Sequence, residues 1–510
     1  MRKLTISARL KHVRPHGMGW GLVVACFMVL SGNMAGAWCG IEAAGHNYAL
    51  ALEMSIYFLD IQRSGHLPEK GNAPGQYRVP WRFDSALQDG MDHGVDLTGG
   101  FYDAGDHVKF VFPMAASLTN LAWGVLEYGD GFQEAGQLPY ILATLRWGTD
   151  FLLKAHAAPD VLFAQVGHPE LDHRFWGPPE AMRMARPSFK VTAECPGSDL
   201  AAETAAALAA TSMVFQARDP DYAALLLEHA RELYDFADRY RGVYSDCVPQ
   251  AAPYYASRSG YEDELAWGAV WLFQATGEAT YLQMAESMFM RIQGGRSWTH
   301  SWDDKRYGTY VLLATLTGKA RYRAAVERYL DFWTVGYRGE RVRYTPGGLA
   351  WLDAHGPLRY AANTALMAFI YSDWLEAQKL SPERAVRYHD FAVRQIDYML
   401  GSNPLGRSFV VGFGSHPPRT PHHRASHGSR TNNIHSPVRQ RHVAYGALVG
   451  GPGPDDTFVD DRTNTLTNEV ALDYNACFTG ALARMTLEYG GVALAAFPPP
   501  EPATQIAANF

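Results

Sequence analysis

Apolar residues return every three or four positions along most of the chain, the spacing of helices with one buried face. In RYRAAVERYLDFW, Tyr322, Ala325, Val326, Tyr329, Leu330 and Trp333 fall on one side. From Ala385 the pattern repeats through Val386, His389, Val393, Ile396 and Leu400. It stops at Gly401, ahead of Asn403-Pro404, as a helix end should. Similar runs cover about 46–63, 115–128, 137–157, 199–217, 221–240, 262–276, 279–292, 308–317, 360–378 and 468–489. Together they predict about twelve helices, several joined by tight turns such as Arg218-Asp219-Pro220. Period-two alternation is scarce, so few strands are expected. Twelve helices in pairs around one core suggest an all-α (α/α)6 toroid, a six-hairpin barrel, although periodicity alone does not set how the pairs pack. Stretches rich in Gly, Pro, His and Asp lie at roughly 64–112, 158–198, 241–261, 341–358 and 401–467. Loops this long in a compact domain are where function concentrates.

Composition narrows the class. The 510 residues are 47% hydrophobic, enough for a large core and too many for wholesale disorder. A formal net charge of -7 argues against nucleic acid or an anionic membrane as partner and suits a neutral polymer. The 13 Trp and 27 Tyr leave some aromatics to line a groove. At the N-terminus, Arg2, Lys3, Arg9, Lys11 and Arg14 precede the apolar run Met18 to Leu30, and Ala35-Gly36-Ala37 offers a small-residue cleavage site. Residues 1–37 therefore read as a signal peptide, making the mature chain secreted and free of the membrane. An uncleaved anchor is disfavoured because the run falls short of the ~20 residues a spanning helix needs. Residues 38–497 show no linker and read as one domain, followed by a Pro-rich tail at 498–510 that is expected to fray. After cleavage Cys39, Cys195, Cys247 and Cys477 remain, and they allow three pairings among which the sequence does not choose.

Three segments carry candidate chemistry. In DLTGGFYDAGDHVKF, two glycines precede Tyr102, and Asp103 and Asp106 flank Ala104-Gly105, so a tight turn can aim both carboxylates at one water. Taken alone, a DxxD is more often an Asx-turn or a helix cap. In FVDDRTNTLTNEVALDYNA, Glu469 opens a predicted helix behind Asp460 and Asp461, where a glutamate usually serves the helix dipole. Its polar Asp, Asn and Tyr neighbours point instead to a second acid group, as glycoside hydrolysis requires. In FVVGFGSHPPRTPHHRASHGS, His423 and His427 share helical spacing, but the prolines and glycines argue against a helix and a metal site there. Hydrogen bonding of sugar hydroxyls by His422 and Arg424 is the better reading.

With these residues in view, the chain resembles glycoside hydrolase family 9, the endo-β-1,4-glucanases. The likeness spans nearly all of 38–495 and includes SALQDGMDHGVDLTGGFYDAGDHVKF, DHRFWGPPEAM, YYASRSGYEDELAWGA, SWDDKRYG, YTPGGLAWLDAHGPLRYAANTA, GSNPLGRSFVVGFG, PHHRASH and NEVALDYNA in family order. The resemblance implies an (α/α)6 barrel with an open cleft and inverting hydrolysis of β-1,4-glucan. The chain is expected to act as a monomer and to need no cofactor for its chemistry. It makes Asp106 the general base, Asp103 its partner in holding water, Glu469 the general acid, and Asp460 a supporting acidic group. His422 and Arg424 match its P-H-x-R motif, while His173, Trp176, Tyr255, Trp298, Arg359 and Tyr474 match cleft-lining positions. Some relatives bind a structural calcium at a segment matched here by Ser259, Asp263, Glu264 and the distant Asp303, oxygen donors that calcium accepts. The plainer reading puts Asp263 and Glu264 in a helix first turn. Two departures stand out. His355 occupies a position usually held by Trp, and Thr465 one usually held by an aromatic residue. His355 leaves room for a different β-linked substrate, such as mixed-linkage glucan, xylan or a chitosan-like polymer. Processive or exo action, and glycan binding without catalysis, stay open beside it.

Overall fold

The computed structural model describes residues 43–499 apart from 72, 293, 295 and 296. The expected leader at 1–37, Cys39 and most of the tail lie outside the described residues. Among the described residues twelve helices of twelve or more residues form: α1 (Tyr48–Ile61), α2 (Val111–Glu134), α3 (Leu138–Ala155), α4 (Ser198–Phe215), α5 (Pro220–Arg239), α6 (Glu262–Thr276), α7 (Ala279–Ile292), α8 (Arg306–Thr317), α9 (Ala320–Trp333), α10 (Pro357–Ala377), α11 (Pro382–Leu400) and α12 (Leu472–Tyr489). Their ends follow local chemistry. Asn47 accepts from the Leu50 amide at the start of α1, and Asp219 from that of Tyr222 ahead of Pro220 in α5.

The even-numbered helices pack in succession, α2 on α4, α4 on α6, α6 on α8, α8 on α10, α10 on α12 and α12 back on α2. That closed ring is surrounded by α3, α5, α7, α9 and α11, each packed on the inner helix before it, and by α1 against α12. The architecture is the expected (α/α)6 barrel. Burial tells the layers apart. In α4 every residue but Met213 is buried, and its alanines let three neighbours approach closely. In α9 the buried face contains all six predicted positions. In α11 the buried face centres on Ala385, Tyr388, Ala392 and Ile396, so Val386 and His389 lie at its flank rather than within it. Where α2 and α12 cross, a Cβ on Gly124 would stand 2.9 Å from the Gly480 Cα, so two glycines permit the contact.

The long connections also hold strands that the alternation did not reveal. β3 (Val161–Val166) pairs antiparallel with β1 (Lys109–Phe110), β2 (His156–Ala158) and β4 (Ser188–Thr192), while β5 (Arg343–Tyr344) pairs with β6 (Ala350–Trp351). The four-stranded sheet braces the loop of Asp103 and Asp106. Beside it the buried Lys109 ammonium lies 2.7 Å from Asp89, which also receives the Arg186 guanidinium. A Cys195–Cys247 disulfide settles the open pairing, and Cys477 is a free buried thiol. No described helix is long and apolar enough to cross a membrane.

Candidate active site

A cleft of about 790 Å³ is lined by Asp103, Asp106, His173, Tyr255, Trp298, His355, Arg359, His422, Arg424, Glu469 and Tyr474, among others. Eleven of the expected catalytic and glucan-contacting residues thus meet across a sequence span of several hundred positions, and Ser259 and Asp303 of the expected calcium set line the cleft as well.

The Asp103–Asp106 turn is pinned on two sides. The Asp103 amide donates to the Val108 carbonyl, and the Asp103 carbonyl accepts from the Leu472 amide at the start of α12. Between the two aspartates, a Cβ on Gly105 would lie 2.0 Å from the His422 carbonyl oxygen, so only glycine lets the 422–424 segment settle there. The Arg424 amide then donates to the Gly105 carbonyl. Glu469 is not in the first turn of a helix, as its sequence suggested. It is extended, between a short helix (Thr465–Asn468) and α12, where its carbonyl accepts from Gly450 and its backbone bridges to His422.

The two aspartates differ electrically. Burial, then the charge of Asp106, pushes the Asp103 carboxyl well above its usual range, and Tyr255 donates its hydroxyl to Asp103 Oδ2. Burial acts on Asp106 in the same direction, but there the hydrogen bond and charge of His173 and the charge of Arg424 outweigh it, leaving Asp106 below the ordinary carboxylate range. Asp106 is therefore the ionised member. Its Oδ2 lies 3.2 Å from His173 Nε2. The Oδ1 atoms of Asp103 and Asp106 have no hydrogen-bond partner. Two buried acceptors without partners, on residues lining one cleft, suit a water that must be both held and deprotonated.

The remaining walls separate touching from supporting roles. His422 Nδ1 lies 2.6 Å from the Arg462 carbonyl, and burial with the Arg424 charge lowers its proton affinity, favouring a neutral ring. Arg359 sits at the floor, donating to Asp473 Oδ2 at 3.1 Å and to the Tyr360 hydroxyl at 2.9 Å, with its guanidinium over Tyr474. Trp298 meets Tyr360 edge to face at 5.3 Å. His355 Nε2 lies 2.9 Å from Glu469 Oε2.

Two expected site residues stand elsewhere. Trp176 is buried behind the wall, edge-on to His422 with its Nε1–H donating to His427, so it backs the cleft instead of lining it. Asp460 is absent from the lining because the amides of Arg419 and Thr420 occupy its carboxylate, fixing the approach to His422. The histidine-rich segment does form a helix, but one of only four residues (Arg424–His427). Its histidines diverge to separate partners, His423 to Gln62 and His427 to Trp176.

The calcium set divides between donor chemistry and geometry. Glu264 has two buried carboxylate oxygens without hydrogen-bond partners, and burial with the charge of Asp263 raises it strongly, which favours its neutral form. Asp303 is occupied by the amides of Arg258 and Ser259, and Asp263 by that of Lys305. The carboxylates of Asp263, Glu264 and Asp303 do not gather within 4.8 Å of one another. The buried Lys305 ammonium lies 3.7 Å from Glu264 and 3.3 Å from Glu203.

Sequence reasoning missed three contributors. Tyr254 lines the cleft and meets His173 Nδ1 at 3.2 Å, and Trp302 packs on Tyr255. Asp172 is buried beside Asp106, its carboxyl raised to about 6 by burial and then by the Asp106 charge. The segments YYAS, SWDD and DHRFW were visible as motifs, but which member of each faces the cleft was not.

Known proteins resemble the chain over most of its length. The model of "Glycosyl hydrolase family 9" matches residues 48–482. Endoglucanase B of Cellulomonas fimi is 53% identical over 95% of this chain, which spans 46% of that protein. Endoglucanase A of Bacillus pumilus is 51% identical over 90% of this chain and 70% of its own length. An endoglucanase of Clostridium thermocellum, solved with cellobiose and cellotriose, superposes with a TM-score of 0.82 at 43% identity, covering 90% of this chain and 73% of that one. A barrel closed by six inner helices, a cleft presenting paired aspartates and a lone glutamate, and a family match over most of the chain lead to one conclusion: this protein belongs to glycosyl hydrolase family 9.

Proposed function

We propose that the chain is a secreted endo-β-1,4-glucanase that inverts the anomeric centre. The observation that carries this reading is the pair of unpartnered Oδ1 atoms on Asp103 and Asp106, in the cleft that also holds Glu469. Asp106 takes a proton from a water held between the aspartates, and that water attacks the anomeric carbon. Glu469 gives its proton to the departing glycosidic oxygen, and the bond breaks through an oxocarbenium-like state. Aromatic walls such as Trp298 and Trp302 suit the apolar C–H faces of pyranoses, while Arg359, His422 and Arg424 offer donors to their hydroxyls. The relatives' names and the cellooligosaccharides of the C. thermocellum structure support a β-1,4-glucan as substrate.

Proton NMR of cellopentaose hydrolysis tests the assignment, with the α-anomer expected first. Initial β-anomer would mean a covalent intermediate and different roles for the carboxylates. Asp106→Asn and Glu469→Gln are each expected to lose about 10²–10⁴-fold in kcat. Either variant keeping wild-type turnover would overturn the assignment. The histidine in place of an aromatic platform at 355 favours a second substrate class, and xylan or chitosan cut faster than soluble cellulose derivatives would establish it.

A further inference from the structure

The contact between His355 and Glu469 joins residues 114 positions apart, and it places an ionisable ring directly on the acid group. The imidazole side chain is 45% exposed and the Glu469 side chain 23%. The ring is held from behind by its own backbone. The His355 amide donates to Asp353 Oδ1 at 2.8 Å, and its carbonyl accepts from Arg359 Nη2 at 3.3 Å. The backbone of Glu469 is anchored too, because its carbonyl receives the Gly450 amide and the Asn468 carbonyl receives that of His422.

The other charges around the pair come from every neighbouring element. Asp353 lies on the loop of His355, Arg359 and Tyr360 on α10, Asp473 and Tyr474 on α12, Asp103 and Asp106 on their turn, Tyr255 before α6, and His422 with Arg424 on the loop before Glu469. Arg359 and Asp473 pair with each other, and burial favours a neutral His422. Among these neighbours, His355 is the one whose ring meets the Glu469 carboxyl.

We propose that His355 is a positioning residue for the general acid, holding the Glu469 carboxyl through Nε2–H at 2.9 Å. The proposal rests on Glu469 being the acid. A carboxyl that must deliver its proton to one glycosidic oxygen has to keep one orientation, and a ring set beside Oε2 supplies it.

The test uses two substitutions with different losses. His355→Gln keeps an N–H donor for Glu469 without the charge, whereas His355→Phe removes both. On a soluble cellooligosaccharide, His355→Gln is expected to keep the plateau kcat near that of the unaltered chain. The plateau kcat of His355→Phe should fall about five- to tenfold below that of His355→Gln, the share owed to the lost donor. Equal plateaus in the two variants would overturn the proposal. Glu469→Gln separates the two levels of inference. An active Glu469→Gln removes the acid assignment itself, whereas an inactive one with equal His355 plateaus removes only the role of His355.

Discussion

Removing His173 is expected to shrink the acid side of the activity range. Asp106 must be ionised to accept a proton from water, so the acid limb of the rate profile marks the pH at which it becomes protonated. His173 opposes that protonation with a hydrogen bond at 3.2 Å and, in acid, with a positive charge. Taking the separation as 3.2 Å and a water-like dielectric of about 80, Coulomb's law gives about 1.3 kcal/mol, or about one pH unit. The water-like value gives a lower bound, because the imidazole is one-third exposed whereas the Asp106 carboxylate is buried. Arg424 remains in His173→Phe and keeps part of the effect. The acid-limb midpoint of kcat/KM, which reports the free enzyme, should therefore rise by about one pH unit. The loss of activity on acidification then begins at higher pH. His173→Gln keeps a hydrogen-bond donor and should fall between the two. A midpoint that stays put or moves down in His173→Phe would show that His173 does not hold Asp106 ionised.

Two predictions concern the frame rather than the chemistry. The Cys195–Cys247 bridge closes a loop of sequence separation 52, for which chain entropy gives about 4 kcal/mol of stability. Cys247→Ser is thus expected to lower the melting temperature and to cut kcat, because the neighbouring segment carries Tyr254 and Tyr255 to the cleft. Identical melting with and without reductant would contradict this. Gly124→Val places a side chain against the Gly480 backbone where α2 and α12 cross, and overpacking there should cost about 3 kcal/mol or more in denaturant unfolding. An unchanged unfolding midpoint would mean that the two helices can part without penalty.

The helices were legible because amphipathic spacing is a local property. The positions that face the core in α9 do so through the pitch of the helix itself, whatever it packs against. The Asp103–Asp106 turn was legible for the same reason, since glycines and closely spaced acids are written into one short stretch. Motifs of the family marked the other segments that build the site. Which residue of each motif meets the cleft was a different matter. Trp176 and Asp460 share motifs with true lining residues but point behind the wall, and Trp302 and Tyr254 were passed over within motifs already singled out. The contact of His355 with Glu469 and the pairing of Cys195 with Cys247 join distant positions, so no local rule could choose them. The unequal charge of two neighbouring aspartates depends on His173 and Arg424, brought beside Asp106 only when the barrel closes and its loops converge. The sequence by itself therefore determined the helices, their pairing into hairpins and the candidate carboxylates, because these follow from spacing along the chain. Tertiary structure decided which side chains touch, which stay buried and which keep their charge, because those properties depend on distance and desolvation.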